Sequence, residues 1–546
     1  MLSPLDVSLY YLVNFRTALV WVAERYADLL DAREQAFINE FLALPTNAQA
    51  LLVRLLMRKG PHFRASKLSY AEIGDIGSAA KPLLDLHWLS ISAEISLDEL
   101  FALLRRDELL ACLKETQAMR SRTKSEWLDV LRPQYPQAQP LDRWSPGLDC
   151  IYSLTITPLC DRLRLLFFGN LAQDWSEFVL AELGIYRYES VAIGADSRGF
   201  RNRQDIDDYL HLRDCRERHE AGLSVAEVLD ALGDFSSDNP HLTTRHAKLQ
   251  FQLGQQLERE GELAAAALLY GASAHGEARQ RQVRVLEKLG DYQTAHTLAC
   301  AALASPRSAA ESQALERALP RLCRQLGLEK PLRSPVLTTQ TFELELSQPL
   351  DLSVEWAVRQ HLHTEQAPVF YVENTLVCGL FGLLCWEAIF APLPGAFFHP
   401  FQLGPADLHT ADFRHRRQAL LTAALHSLDD GSYAPRIRAI YEAKYGTLSP
   451  FVHWEVLTPE LLDIALLCLP AAHLRAWFER LLDDIRANRA GMPDLIQFWP
   501  GEQRYRMIEV KGPGDRLQDN QKRWLAFCAE HSIPVEVCYV RWSEVL

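Results

Sequence analysis

From Leu9 to Met57 apolar residues recur at spacings of three and four, as in "FINEFLALPTNAQALLVRLLMR", and the pattern stops at Gly60-Pro61. A 3.6-residue period lays one apolar stripe along each helix, so a helical N-terminal domain is expected over residues 1–60. The next stretch, "RKGPHFRASKLSYAEIGDIGSAAKPLLDLHWLSIS", alternates short helical pieces with one extended piece at "HWLSIS", the outline of a winged-helix module. From Ser96, "SLDELFALLRRDELLACLKETQAMRSRTKSEWLDVL" reads as two short amphipathic helices, with caps expected at Ser96 and at Lys124-Ser125. Two readings are open for it. One is a SAP-type helix-extended-helix motif that offers a helix N-terminus and lysines to phosphates; the other is an ordinary helical hairpin with a solvated basic turn. The expected SAP-like DNA-binding module covers residues 61–135.

The prolines of "RPQYPQAQPLDRWSPG" mark a linker, after which the helical period returns as far as about Leu328. "LGQQLEREGELAAAALLYGAS" and "QVRVLEKLGDYQTAHTLACAALAS" repeat one plan: a helix, a Gly-acidic-apolar turn at Gly261 or Gly290, then an alanine-rich helix. That is the tetratricopeptide style, with turn glycines 29 residues apart where the usual repeat is about 34. A helical domain over 136–335 follows, closed by the proline-rich "EKPLRSPVLTTQ". Over 336–546 the period changes. "TFELEL" alternates as a strand, "DLIQFW" and "YRMIEVKG" are strands joined by the turn "EQRY", "DRLQDNQKRWLAFCAEHS" is a helix, and "VEVCYVRW" is a further strand. The fold class is therefore multidomain and mostly α, with a C-terminal α/β core.

Composition agrees with several domains, because 546 residues at 48% hydrophobic exceed what one core accommodates. A net charge of −13 argues against coating nucleic acid through the bulk field and leaves local basic patches open. Eleven cysteines stand singly, with no C-x-x-C pair, as reduced thiols of a cytosol do; neither a disulfide framework nor a zinc finger is indicated. No apolar run approaches the roughly 20 residues that span a bilayer, and the first residues lack the basic start and cleavage site of a signal peptide. A cytoplasmic protein without membrane contact is expected. There is no G-x-x-x-x-G-K-[ST] loop for ATP and no G-x-S-x-G elbow.

The C-terminal strands carry the chemistry. Alternation puts Met507, Glu509 and Lys511 on one face and Ile508 and Val510 on the other, while a hairpin brings Asp494 to the same end. Two converging carboxylates form a hard-oxygen site suited to Mg2+ or Mn2+. A lysine beside them can orient the attacking water and offset charge on a phosphate. The competing reading is a surface Glu-Lys pair with Asp494 in a turn. The β-β-α-β order and the small turn "GPGD", where backbone can approach a phosphate, look like a PD-(D/E)xK nuclease core. Glu373 in "YVENTL" follows an extended "APVFYV" and precedes a helix with Asn374 or Thr375 as its cap, so it can project from an element end. Glu387, an acid in the apolar "LLCWEAIFAPL", needs a basic partner or a place near the metal. His361, His363 and Glu365, like Asp407, His409, Asp412 and His415, lack zinc-protease spacing and read as helix-surface polar residues. Candidate DNA contacts are Arg54, Arg58, Lys59, Arg64 and Lys67 at the entry to the second module and Lys124 in the third segment. Arg414, Arg416, Arg417, Arg436 and Arg438 form a further candidate patch, and Gln521 and Lys522 lie on the last helix.

"GMPDLIQFW…MIEVKGPGDRLQDNQKRWLAFCAEHSIPVEVCYV" resembles the VRR-NUC domain, and with "VENTLVCGLFGLLCWEAIF" upstream the chain is similar to the Fanconi-associated nuclease family. "LLVRLLMRKGPHFRASKLSYAEI" and the SAP-like segment resemble that family's DNA-binding module, and the repeats sit where its tetratricopeptide region does. The resemblance implies a metal-dependent, structure-specific DNA nuclease that cuts 5′ flaps and branched DNA, acts as a 5′ to 3′ exonuclease and serves interstrand-crosslink repair, at the nucleoid of a bacterial cell. By the same resemblance Asp494, Glu509 and Lys511 match the catalytic triad, Glu373 matches an additional metal-binding glutamate, and Val510 lends a backbone carbonyl to the metal. The family's eukaryotic members carry a ubiquitin-binding zinc finger; with no cysteine pairs here, ubiquitin-directed recruitment is expected to be absent. The repeats are the expected seat of any protein partner. A four-way-junction resolvase, or a non-catalytic scaffold for DNA junctions and proteins, are the alternatives.

Overall fold

The computed structural model describes residues 9–546 except 174, 176–186, 194–196, 330–338, 349–351, 411 and 544–546. Most of the expected linker "EKPLRSPVLTTQ" lies outside the described residues. The chain divides into two compact units, Met1–Tyr186 and Arg187–Leu546.

The first unit opens with the helices α1 (Tyr10–Tyr26), α2 (Ala32–Ala43) and α3 (Thr46–Leu56), whose apolar stripes meet around Phe15, Phe37 and Phe41. Asp31 and Glu34 cap α2 reciprocally. The strands β1 (His62–Arg64), β2 (Leu89–Ser90) and β3 (Ile151–Leu154) form an antiparallel sheet in the order β1-β3-β2, with α4 (Ile76–Asp85) before β2. The extended piece expected at "HWLSIS" is β2. Then α5 (Leu97–Leu103), α6 (Arg106–Cys112) and α7 (Lys124–Leu131) pack around the buried Trp127. Ser96 caps α5, as its position before Glu99 requires. The cap of α7 is Thr123, not Lys124-Ser125: its hydroxyl accepts from Glu126 N while the Glu126 carboxylate accepts from Thr123 N. Lys124 is thus already helical, and its Nζ donates to the Leu104 carbonyl at 2.8 Å.

In the second unit α8 (Pro240–Glu260), α9 (Leu263–Ala272), α10 (Ala278–Leu289) and α11 (Tyr292–Ala304) are the two helical hairpins of the repeat pattern, followed by α12 (Ala309–Leu326). Gly261 and Gly290 adopt φ of +87° and +80°, which glycine reaches without a Cβ clash and which reverses the chain at once. The alanines of the second helix in each hairpin keep the layers close: Ala266, Ala295, Ala299 and Ala302 are fully buried.

The rest of this unit is built on a five-stranded mixed sheet. Its strands are β4 (Gln340–Leu346), β5 (Val369–Tyr371), β6 (Leu495–Trp499), β7 (Arg504–Lys511) and β8 (Val535–Trp542), in the order β4-β8-β7-β6-β5. β8 runs parallel to β4 and β7; β6 is antiparallel to β7 and to β5. α13 (Val354–Leu362) precedes β5 and covers one face, where Val358 packs on Leu495, Ile508, Val510, Cys538 and Val540. The other face carries Ile496, Phe498, Met507, Val535 and Val537. It packs on helices inserted between β5 and β6, among them α14 (Leu376–Leu384), and on α15 (Asp519–Glu530), which links β7 to β8. The alternation read along "YRMIEVKG" is the split between these two cores.

Within the inserted helices, the expectation of a DNA-facing Arg417 fails on burial. Its side chain has no exposed surface: it makes a bidentate pair with Asp407 at 2.8 and 2.9 Å and donates through Nε to the Ala388 carbonyl. Arg416 also bonds Asp407 and the Pro394 carbonyl. The last two arginines of "FRHRR" therefore look inward, because Asp407 supplies a buried countercharge, whereas Arg414 stays on the surface. Removing Arg417 leaves Asp407 with only the partly exposed Arg416, so Arg417→Ala should destabilise this unit by roughly 3 kcal/mol, read as a lowered urea midpoint.

Candidate active site

The register of the sheet assembles the acids. Leu495 pairs with Ile508 across β6 and β7, so the next position places Asp494 opposite Glu509, with both side chains on the same face. Asp494 is anchored at both ends: its Oδ2 accepts from Val510 N at 2.8 Å, and its carbonyl accepts from Val372 N at 2.9 Å. Glu509 is 1% exposed. Lys511, two residues on and on the same face, holds Nζ 2.7 Å from Glu509 Oε1 as an ion-pair contact. The contact is off hydrogen-bonding direction, and neither Glu509 oxygen accepts a hydrogen bond among the described residues.

Glu373 stands at the mouth of this group on the turn after β5. Two hydrogen bonds orient its carboxylate: Tyr371 Oη donates to Oε2 at 2.5 Å, and Asn374 Nδ2 donates to Oε1 at 3.1 Å. Asn374 adopts φ of +54°, a left-handed conformation that asparagine tolerates better than most residues. Its Oδ1 accepts from Met492 N at 3.0 Å and so ties the turn to the segment leading into Asp494. Asn374 is therefore a turn clamp, and Thr375, whose hydroxyl donates to the Val372 carbonyl, starts α14 without capping it. The Tyr371 ring stacks on Trp356 of α13. Burial first, then the hydrogen bond to Glu373, holds its phenol protonated far above the usual range, so it stays a donor.

The electrostatics follow from two like charges in a dry place. Burial raises the proton affinity of Asp494 most; the Val510 amide opposes that, and Glu355 on the first turn of α13 and then Glu373 add to it. Glu509 is raised by burial and then by Asp494, with Lys511 opposing. Nothing local in the sequence distinguishes Glu355 and Tyr371, and Asn374 is expected from it only as a helix cap. As the side chains lie, Asp494, Glu509 and Lys511 are together, whereas Glu373 is turned to Tyr371. No three carboxylate, histidine or cysteine side chains among the described residues form a closed cation cage. What fits a cation is the donor set itself: two buried carboxylates, one without any hydrogen-bond donor, open toward a third.

The remaining candidates separate clearly. Arg58, Lys59, His62, Arg64 and Lys67 line a groove of about 380 Å3 in the first unit. Within it Arg64 is buried against Glu108 and Asp149. Arg54 is held by Glu72 and lies over the Tyr11 ring. Glu387 does find a base, Arg436 at 2.8 Å, on the surface and not inside a helix core. Arg438 pairs with Asp463 and Arg414 with Asp483. Gln521 caps α15 by accepting from Gln518 N, and Lys522 is exposed. His363 accepts from Val369 N and Asp407 is consumed by arginines, so these two residues have structural roles.

Three family models match the chain: the VRR-NUC domain over residues 428–542, the FAN1 HTH domain over 9–90, and the Fanconi anemia-associated nuclease SAP domain over 94–144. The Fanconi-associated nuclease 1 homolog of Pseudomonas aeruginosa is 55% identical over 98% of this chain and 96% of that protein. The homolog of Oryza sativa is 27% identical over 97% of this chain and 62% of the plant protein. The crystal structure of paFAN1 bound to 2nt 5′ flap DNA with gap superposes with a TM-score of 0.92 at 54% identity, covering all of both chains. Its complex with 1nt 5′ flap DNA with gap gives the same TM-score at 55% identity.

Two outcomes follow for the acids. In the metal-free protein Asp494 takes up its proton at higher pH than it does unfolded, so stability rises as pH falls from about 7 toward 4. Asp494→Asn, which keeps an oxygen for the Val510 amide, should raise the metal-free melting temperature at neutral pH and flatten that pH dependence; Mn2+ should raise the melting temperature of the wild type only. Tyr371→Phe should tighten Mn2+ binding by up to about tenfold in calorimetry, because it removes the hydrogen bond that holds Glu373 off the other two acids, with the fold unchanged.

Proposed function

We propose, from the premise that this chain belongs to the Fanconi-associated nuclease family, that it hydrolyses a phosphodiester bond of 5′-flap or branched DNA at the Asp494–Glu509–Lys511 site. One observation carries the residue assignment: the buried Glu509 carboxylate accepts no hydrogen bond and faces a second buried acid. Two such charges with one lysine beside them are short of positive charge, and a divalent cation would supply it. Mg2+ or Mn2+, held by Asp494, Glu509, the Val510 carbonyl and Glu373, would supply Lewis-acid polarisation of the phosphate and neutralise charge as it develops. Glu373 would turn inward from the Tyr371 hydroxyl to complete the set.

Lys511 keeps its ammonium on the Glu509 side of the site, where it orients the attacking water and offsets charge on the phosphate oxygens. The Val510 amide fixes the second Asp494 oxygen, leaving Oδ1 for the cation. The 5′ flap is favoured as substrate because both paFAN1 complexes carry one. In this reading the enzyme also degrades DNA 5′ to 3′ and serves interstrand-crosslink repair at the nucleoid. Duplex phosphates are gripped by Arg58 and Lys59 just before the module over 61–135 and by Lys67 within it, so affinity falls steeply with salt. The helical domain over 136–335 positions DNA or a protein partner.

The test is cleavage of an end-labelled 5′-flap duplex with Mg2+ or Mn2+. Wild type should cut one strand near the junction, and Asp494→Ala should lose at least about a thousandfold in rate. Equal cutting by the two would overturn the residue assignment, and paired symmetric nicks in a four-way junction would favour a resolvase.

A further inference from the structure

The catalytic face continues past Lys511 onto the neighbouring strand. β8 is parallel to β7 in a register that pairs Val537 with Glu509 and Tyr539 with Lys511, and it pairs Tyr539 with Glu343 of β4 on its other side. Paired residues of adjacent strands point to the same face, with strands about 4.8 Å apart. The Tyr539 ring therefore stands directly beside the lysine of the active site, yet it is 37% exposed while Val537 before it is buried.

Around that ring the structure opens a groove of about 490 Å3, bounded by the Gly512–Asp515 turn, Tyr539, Arg541, Trp542 and Glu343. The turn is closed by its own bonds: Gly512 N donates to Asp515 Oδ2 at 3.0 Å and Asp515 N to the Gly512 carbonyl at 3.1 Å. Gly514 turns the chain at φ of +86°, and no heavy atom lies within 4 Å of where its Cβ would be, so the turn presents bare backbone toward the groove.

The charges decide what fits there. Arg541 is neutralised by Glu343 at 2.8 Å, and Asp515 adds a further acid, so the lining is net acidic and disfavours a phosphate. An aromatic ring at the lip of a net-acidic groove, next to the group that meets the scissile phosphate, suits an uncharged flat ligand. We infer that Tyr539 is a stacking platform for one unpaired nucleobase of the strand being cut, adjacent to the phosphate at Lys511. A paired base has both faces covered inside the duplex, so the platform selects substrates whose nucleotide beside the cut is unpaired. This inference rests on the nuclease reading of the Asp494–Glu509–Lys511 site.

The experiment uses the full chain and a 5′-flap duplex with 2-aminopurine at each nucleotide flanking the scissile phosphate in turn, in Ca2+ to hold the complex uncut. Wild type and Tyr539→Phe should quench the fluorescence at one flanking position. Tyr539→Leu, which keeps apolar bulk without a π-face, should lose the quench and bind the flap roughly tenfold more weakly. All three should bind fully paired duplex alike and melt at the same temperature. Quenching and affinity unchanged in Tyr539→Leu overturn the inference, as does an equal loss in Tyr539→Phe, which would assign the effect to the hydroxyl. Cleavage of the same flap in Mg2+ keeps the two proposals apart. Stacking without cutting by wild type would sink the nuclease reading alone, and cutting without a Tyr539-dependent quench would sink the platform alone.

Discussion

Two carboxylates and one ammonium are held out of water at one end of a sheet, and the surrounding structure is arranged around that burial. Isolated charges do not enter a protein interior without compensation. Here the compensation is deliberately incomplete: Asp494 receives a backbone amide, and Glu509 receives only the off-axis Lys511 ammonium. The apolar cores on the two sheet faces make the desolvation possible. Ile508 and Val510 seal one side, and Met507, Val535 and Val537 seal the other. The same packing that excludes water fixes the strand register, and the register sets the acids opposite each other.

The helices around the sheet serve this end in different ways. α13 contributes the apolar Val358 to one core and presents Glu355 and Trp356 toward the mouth of the site. The helix that follows the repeats, α12, is pinned to α15 by Arg317–Asp519 and by Arg523 Nη1 donating to Gln313 Oε1 at 2.7 Å. Arg317 and Asp519 are both half exposed, so the pair adds little stability; its value is geometric, because α15 connects β7 to β8. Many surface arginines of this acidic chain are likewise spent on its own carboxylates, as Arg414, Arg436 and Arg438 are. A basic run in the sequence is then a poor guide to where DNA lies.

Elements whose cause is local were legible. The helical hairpins with Gly261 and Gly290 followed from a 3.6-residue period broken by a residue that can take positive φ. β7 followed from a period of two, which also put Glu509 and Lys511 on one face. The antiparallel partner of β7 is only a short turn away, so Asp494 could be placed beside Glu509 before any coordinates. The cap of α7 was misplaced within the same turn, because serine at 125 and threonine at 123 offer the same hydroxyl and only the reach to Glu126 decides between them.

What the sequence determined by itself was the composition of the site: an acid at the end of one strand, an acid and a lysine two apart on the next, and the order of helices and strands that frames them. Tertiary structure alone decided the site's surroundings. Asn374 bonds a backbone amide 118 residues away, Tyr371 and Glu355 reach the acids through β5 and α13, and Tyr539 meets Lys511 only because β8 returns parallel to β7. Arg417 shows the same limit from the other side, since its fate depended on Asp407 being folded beneath it. The physical reason is one of range: backbone periodicity is written in neighbouring residues, whereas the dielectric, the partners and the exposure of a charge are set by whatever the fold brings within a few ångströms.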